Sequence, residues 1–269
     1  MREMVRFILA IFIIMCTITP IFAQDYFRYN TVNIRNNKYS FNISLWNTKL
    51  TGELFASSNS FTTSLQDDLG FARYKGSILI DFNYNLSNIN SVGFSMFFTS
   101  HRAVRTLTRD ITLPATPNDV SISSGTTVSS SVRYSSIDIF YRQYLTREER
   151  YEFYGTTGFR LNNMKGTFCG SNVGAGVDFD TPFMFLGLGG SFLLSDNFRT
   201  NYNLKGLSIS MGGERISFIE YQLDIEYGIT SNWGVTIGYK YNNTKFNDDL
   251  GKYMKYRYEG MVFGVSGRF

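Results

Sequence analysis

The chain has 269 residues and a formal charge of +4 at pH 7, from 26 basic and 22 acidic residues, a balance too even for a polyelectrolyte that binds nucleic acid. Aromatic residues make up 17% of the sequence and glycine occurs 24 times, whereas proline occurs only 4 times, a profile that favours β-strands. After residue 23 no run approaches the about 18 apolar residues of a transmembrane helix, so helical membrane spans are excluded.

Residues 1–23 have the pattern of a secretory signal peptide. Arg2 and Arg6 form a basic start, residues 7–14 are apolar, and residues 21–23 read Ile-Phe-Ala, a suitable cleavage site. The apolar run is too short to cross a membrane as a helix. Processing would leave one cysteine, Cys169, so we expect an exported chain without an intramolecular disulfide.

Residues 24–38 are polar and without periodicity, and we expect them to form a short periplasmic lead-in. The first predicted strand covers 39–47, and 50–56 either extends it or stands apart. The clearest alternation in the chain covers 77–86, with aliphatic and aromatic residues at even positions and mostly polar residues between them. A tight turn then predicts a hairpin with the strand after it. The further predicted strands cover 92–99, 132–145, 151–160, 183–194, 198–210, 219–227, 233–241 and 256–269.

The predicted connections alternate between short and long. Short turns are expected at 87–90, 146–149, 195–197 and 230–232. Longer outer loops are expected at 57–74, 106–130, 164–177 and 242–255, with Cys169 in the third, and Gly212-Gly213 predicts one tight hairpin on the same side. Short turns on one side and longer loops on the other are typical of transmembrane β-barrels. We therefore predict an all-β, closed antiparallel barrel over residues 39–269, with ten strands favoured and eight or twelve possible.

A soluble β-sandwich or a lipocalin-like barrel would show the same alternation. The polar face argues against both, because it carries many charged residues in the middle of strands, as a polar lumen does. In a barrel of this size the interior is about filled by side chains, so these charges are expected to pair across it. A conducting path is the alternative, and the excess of acids would make it cation-selective. The predicted lumen residues are Asp81, Asp138, Arg142, Glu152, Arg160, Glu220, Asp224, Glu226 and Lys240.

The last nine residues form a strand that ends on an aromatic carboxy-terminus. Met261, Phe263 and Val265 share one face with the terminal Phe269 close behind. This ending resembles the C-terminal signature strand of bacterial outer-membrane barrels, and the whole processed chain resembles the OmpA, OmpX and OmpW type in architecture. The resemblance implies an outer-membrane location, a membrane-insertion role for these four residues, and two partners, outer-membrane lipid and the barrel-assembly machinery.

One histidine, His101, is expected at the outer end of the third strand, near Asp67 and Asp68 of the adjoining loop. A histidine with carboxylates at the rim resembles omptin-like proteases, which use an activated water. Those proteases need a second acidic pair on the opposite wall, and the sequence offers only scattered acids. The alternative is a solvated rim histidine without a catalytic role. The scattered acids are Asp110, Asp248 and Asp249.

The Ser/Thr-rich stretch 115–131 is either an adhesive surface or a solvated loop, and its composition predicts no specific extracellular ligand. We predict no enzyme activity, no cofactor and no metal site. The favoured function is a structural or surface-interacting barrel with a filled polar lumen. A narrow channel for small solutes is the second hypothesis, and a rim-site hydrolase is the third.

Overall fold

The computed structural model describes residues 37–56, 62–71, 74–114, 119–148, 150–170, 174–195, 197–211, 214–230, 232–247 and 253–269. The predicted signal peptide, nearly all of the lead-in, the Gly212-Gly213 turn, Asp248 and Asp249 lie outside these residues. The described part of the chain contains no helix that is long and apolar enough to cross a membrane.

Thirteen strands are present in the described residues, and ten of them are barrel strands. In chain order they are β1 Tyr39–Phe55, β2 Thr62–Ser64, β3 Tyr74–Asn85, β4 Asn90–Thr106, β5 Ile111–Leu113, β6 Val120–Ile122, β7 Thr127–Arg147, β8 Tyr151–Cys169, β9 Gly174–Leu193, β10 Phe198–Met211, β11 Glu214–Gly228, β12 Trp233–Asn247 and β13 Tyr253–Arg268. The three short strands β2, β5 and β6 belong to the outer loops.

The barrel closes by pairing its first and last strands. Each barrel strand pairs antiparallel with the next one along the chain, and β13 pairs with β1, with Arg268 opposite Ser40. Tyr39 and Phe269 also exchange two backbone hydrogen bonds of 2.9 Å. Closure leaves no free sheet edge at the chain ends. The predicted all-β class and the predicted count of ten strands are confirmed.

The part of the barrel farther from the long outer loops carries apolar side chains on the outside of its wall. We call this part the lower part. Ile43, Leu223, Ile237 and Phe263 point outward and are about half exposed. At the end of the barrel opposite the outer loops, Trp233 packs edge-to-face against Phe269, with ring centroids 5.6 Å apart. Exposed apolar side chains in such numbers require hydrocarbon around them, and aromatic side chains favour the membrane boundary. We call this surface the belt; its other exposed members include Leu45, Ile78, Phe98, Ile139, Leu161, Leu186, Leu188, Leu204, Ile219, Ile225, Val235, Met261 and Val265.

The strands continue well beyond the belt on the outer side, which two predicted loops did not allow for. The loop predicted at 164–177 is wrong, because β8 runs to Cys169 and β9 begins at Gly174. The loop predicted at 242–255 is also wrong, because β12 runs to Asn247 and β13 begins at Tyr253. Above the belt the alternation reverses: apolar side chains face inward and polar ones outward. A pattern search for apolar outward faces misses strands of that kind.

The inward apolar side chains form the main core, inside the outer half of the barrel. Trp46, Leu50, Phe97, Tyr258 and Val262 are buried there. Residues from the first two outer loops pack into the same cluster. We call these loop residues the plug; they are Leu65, Leu69, Phe71, Leu107, Ile111, Leu113 and Ile122.

Candidate functional site: the filled lumen

Polar contacts join the two outer loops that supply the plug. The Thr63 hydroxyl donates to the carbonyl of Thr112, at 3.0 Å. Arg109 donates two hydrogen bonds to the Asp68 carboxylate, from Nε to Oδ1 at 2.9 Å and from Nη2 to Oδ2 at 2.6 Å. The backbone N–H of Ser64 donates to the same carboxylate. The first outer loop is therefore tied to the second by a bidentate ion pair.

The pKa of the Asp68 carboxyl lies below its ordinary value of 3.8. Burial alone raises this pKa, but the hydrogen bonds from Arg109 and from the Ser64 backbone outweigh burial. A lowered pKa means that the ion pair contributes its stabilisation above the ordinary value and loses it as the pH falls through the shifted one. The ion pair between Arg109 and Asp68 therefore joins the two loops at neutral pH.

A charged cluster occupies the waist of the lumen beneath the apolar core. Arg160, only 2% exposed, contacts Asp138 through Nε at 2.6 Å and through Nη2 at 2.8 Å. The same Nη2 donates to Glu220 Oε2 at 2.9 Å. Lys240 Nζ donates to Glu220 Oε1 at 2.9 Å, and Asn242 donates to Oε2 at the same distance. We call these residues, with Lys205, the waist network.

Lys205 is a member of this network that the sequence analysis missed. Its Nζ lies 2.8 Å from Asp138 Oδ2 and 3.7 Å from Glu220 Oε1. Strand β10 alternates weakly, with Gly206 next to the lysine, so the inward face gave little signal. With Lys205 the waist network has three bases and two acids, so the acid excess of the nine predicted lumen residues does not extend to the waist. Aromatic rings flank the cations: Arg160 lies 4.4 Å from the Phe218 centroid.

A second cluster lies at the inner end of the lumen. Arg268 makes a bidentate contact with Glu226, whose Oε1 also accepts a 2.7 Å hydrogen bond from Ser266. Glu152 accepts from Ser191 at 2.9 Å and lies 3.5 Å from Arg147 Nε. In these contacts each carboxylate at the inner end of the lumen lies against an arginine.

Three of the predicted lumen residues lie apart from both clusters. Arg142 lies between two aromatic rings, with its guanidinium carbon 4.6 Å from the centroids of Phe140 and Tyr154. Asp224 accepts a 2.7 Å hydrogen bond from Gln222. Asp81 stands opposite Asn42 and Ser95 on the neighbouring strands. All nine predicted lumen residues therefore face the interior, but only four of them meet in the waist network.

His101 is not the solvated rim histidine that the sequence suggested, because it is only 3% exposed. It lies inside the barrel above the belt, where its Nε2 is 3.3 Å from the hydroxyl of Thr48. Thr48 in turn contacts Ser77, and Ser77 donates to Thr99 at 2.7 Å. His101 is buried because β4 continues past it to Thr106, and its ring lies 5.9 Å from the ring of Tyr258 in the main core.

Asp67 and Asp68, expected beside His101, and Asp110, one of the scattered acids, have other partners. Asp68 is held by Arg109, Asp67 accepts from Ser64 at 3.1 Å, and Asp110 accepts from the backbone of Ser124 at 2.7 Å. The described residues contain no group of three or more His, Cys, Asp or Glu side chains that could hold a metal ion. The hydrogen bonds given for Asp67 and Asp68 go to Ser64 and Arg109, and none of them reaches His101.

The four residues of the predicted insertion signal lie on the outside of the closing strand. Met261, Phe263 and Val265 are exposed in the belt, and Phe269 stacks on Tyr39 with ring centroids 5.5 Å apart. This placement puts their side chains in contact with membrane hydrocarbon. The insertion role itself stays a prediction.

No protein-family model and no curated protein sequence matches the chain. Among solved structures it is similar to the outer membrane protease OmpT from Escherichia coli, with a TM-score of 0.55 and 14% identity over 89% of this chain and 99% of that chain. It is also similar to the translocator domain of the autotransporter NalP from Neisseria meningitidis (TM-score 0.47, 10% identity, 88% and 91% covered) and to Ail of Yersinia pestis (0.38, 10%, 87% and 99%).

The structural similarity to OmpT supports the fold, whereas an identity of 14% leaves the activity open. The belt and the closed sheet agree with that fold. The chain is therefore a ten-stranded antiparallel β-barrel of the kind found in bacterial outer membranes, which confirms the predicted architecture and, at the level of the fold, the predicted outer-membrane location.

Proposed function

We propose that the protein is a non-enzymatic, sealed outer-membrane barrel with a structural or surface-interacting role. In this proposal the membrane-embedded part anchors the protein. The functional part is the surface formed by the plug loops and by the ends of β7, β8 and β9 that extend beyond the belt on the outer side. The observation that carries the proposal is the filling of the lumen, with an apolar core and plug in the outer half, the waist network below it and a charged cluster at the inner mouth.

The filled lumen disfavours the channel hypothesis. A water path would have to pass both the buried rings of the core and the waist network, in which Arg160, Asp138 and Glu220 contact one another directly. Groups that pair at these distances inside a barrel stabilise its packing and leave no chain of free charges for a permeating ion. The hydrolase hypothesis has less support, since His101 contacts hydroxyl groups under the plug.

A surface role requires that the end of the barrel that carries the plug lie outside the cell. Cys169 lies exposed at the outer end of β8, and it is the only cysteine after residue 23. We expect a membrane-impermeant maleimide to label Cys169 on intact cells. The matched control is Cys169→Ser with Ser195→Cys, which moves the thiol to the exposed turn between β9 and β10 at the other end.

The control variant should be labelled only after the outer membrane is permeabilised. Labelling is read as a mass shift of the purified protein, and labelling after denaturation verifies that each thiol is free. If Cys169 resists the reagent on intact cells while Ser195→Cys reacts, the barrel is inverted and the surface role is wrong.

A further inference from the structure

The outer surface of the barrel has a concave groove within the belt, where a barrel wall is normally convex. The groove has a volume of about 560 Å³ and crosses five strands, β7 to β11, which is within the range of about 300–1,000 Å³ typical of small-molecule sites. Two rows of cross-strand neighbours make up most of its lining, and Thr156, Gly187 and Lys205, which lie between the rows along their strands, complete it. One row is Tyr141, Thr157, Leu186, Gly206 and Ile219, and the other is Gln143, Gly155, Leu188 and Leu204.

Small residues make the groove deep. Gly155, Thr157 and Gly206 stand where the neighbouring outward positions carry leucine. A Cβ atom added at Gly155 would meet no atom within 4 Å, so the space above it is open. Tyr141 points to the outer surface, yet it is only 4% exposed, and its hydroxyl donates to Gln143 at 2.8 Å. An outward tyrosine whose hydroxyl is already satisfied suits a groove that faces hydrocarbon.

A polar cluster lies next to the groove, on the side nearer the outer end of the barrel. In the described residues, the pairing of β9 with β10 ends at Gly206 opposite Leu186, at the top of the groove. One row nearer the outer end of the barrel, Ser208 lies opposite Ser217. Arg215 lies in the row beyond that one. The Arg215 guanidinium reaches back toward the groove, with Nη2 3.5 Å from the Ser208 hydroxyl. A cation and two hydroxyls therefore stand directly above an apolar slot.

We propose that this groove is a binding site for an anionic membrane lipid. One acyl chain lies in the slot between Leu188, Leu204 and Ile219, and the phosphate of the head group is bound by Arg215 and the hydroxyls of Ser208 and Ser217. The charge and the hydroxyls set the head-group chemistry, since a guanidinium and neutral donors together bind a phosphate. The depth in the belt sets the tail chemistry, because the groove is surrounded by acyl chains.

Native mass spectrometry of the protein purified from membranes tests the proposal. Phosphatidylglycerol is added in detergent, and the retained lipid is compared with phosphatidylcholine and with oleic acid. We expect one phosphatidylglycerol to be retained in preference to both. Gly155→Leu fills the slot and should abolish retention, whereas Arg215→Gln should weaken it about tenfold by removing a charge-assisted contact.

Two matched controls share the chemistry of these substitutions. Gly176→Leu adds the same side chain at another open glycine, outside the groove, and Arg102→Gln removes an exposed arginine on β4, away from the slot. Both should retain the lipid as the wild type does, and slower migration of each variant after heating verifies folding. Equal retention by Gly155→Leu, or equal retention of phosphatidylcholine, would overturn the proposal. Preferential binding of oleic acid would overturn the membrane-lipid assignment.

Discussion

Replacing Glu220 by glutamine should lower the free energy of unfolding by about 3–5 kcal/mol, as expected when one partner is removed from a buried ion-pair network. Glu220 accepts hydrogen bonds from Arg160, Lys240 and Asn242 and lies near Lys205. The neutral amide would leave three buried cations with one carboxylate, Asp138. It would also direct two N–H donors into a site that needs acceptors.

A second substitution distinguishes charge imbalance from a loss of shape. Lys205→Met removes one cation, so Glu220→Gln with Lys205→Met should recover part of the stability that the single variant loses. The measurement is equilibrium unfolding by denaturant in lipid vesicles, with the slope required to be equal for all variants. If Glu220→Gln costs nothing, the waist is hydrated and screened, and the account of a dry, sealed lumen fails.

Placing an arginine on the belt should cost about 2–4 kcal/mol near the middle of the membrane. Ile237 is the site of choice, since it is 47% exposed on the outer face of β12 and stands between Ile225 and Phe263. Ile237→Arg moves a guanidinium into hydrocarbon. Denaturant unfolding in vesicles of defined thickness measures the loss.

The matched control is Asn83→Ser, a conservative change on the lumen face of β3. It removes a weak contact to Asn85, at 3.4 Å, and we expect it to cost much less than Ile237→Arg. Equal costs at the two sites would mean that the inner and outer faces are assigned the wrong way round.

Alternation identified the barrel because the lower part of most strands follows one rule, with apolar side chains outward and mainly polar ones inward. The rule held for 77–86 and 219–227, where the surrounding medium is hydrocarbon on one side and a polar lumen on the other. It failed above the belt. There the outside is water and the inside is a packed core, so Met254 and Tyr256 on β13 face inward although their neighbours Lys255 and Arg257 face outward.

The lumen residues could be recognised one by one, but their partners could not. Charges in the middle of strands, such as Asp138 and Glu220, were recognisable because an inward position tolerates them. Which charges meet depends on how far each strand is shifted against the next, and sequence alone does not fix that shift. Lys205 was missed for a related reason, since the outward position beside it is a glycine and the local alternation is weak. The burial of His101 depended on strands longer than the pattern indicated.

Single-channel conductance of the protein in a planar bilayer tests the sealed lumen most directly. Unheated gel mobility first verifies that the barrel is closed. The packing of the core, the plug and the waist network predicts a folded barrel that passes no steady current in either direction. A steady current from folded protein, reduced by a substitution at Glu220 or Lys205, would contradict the account and make the lumen a conducting path.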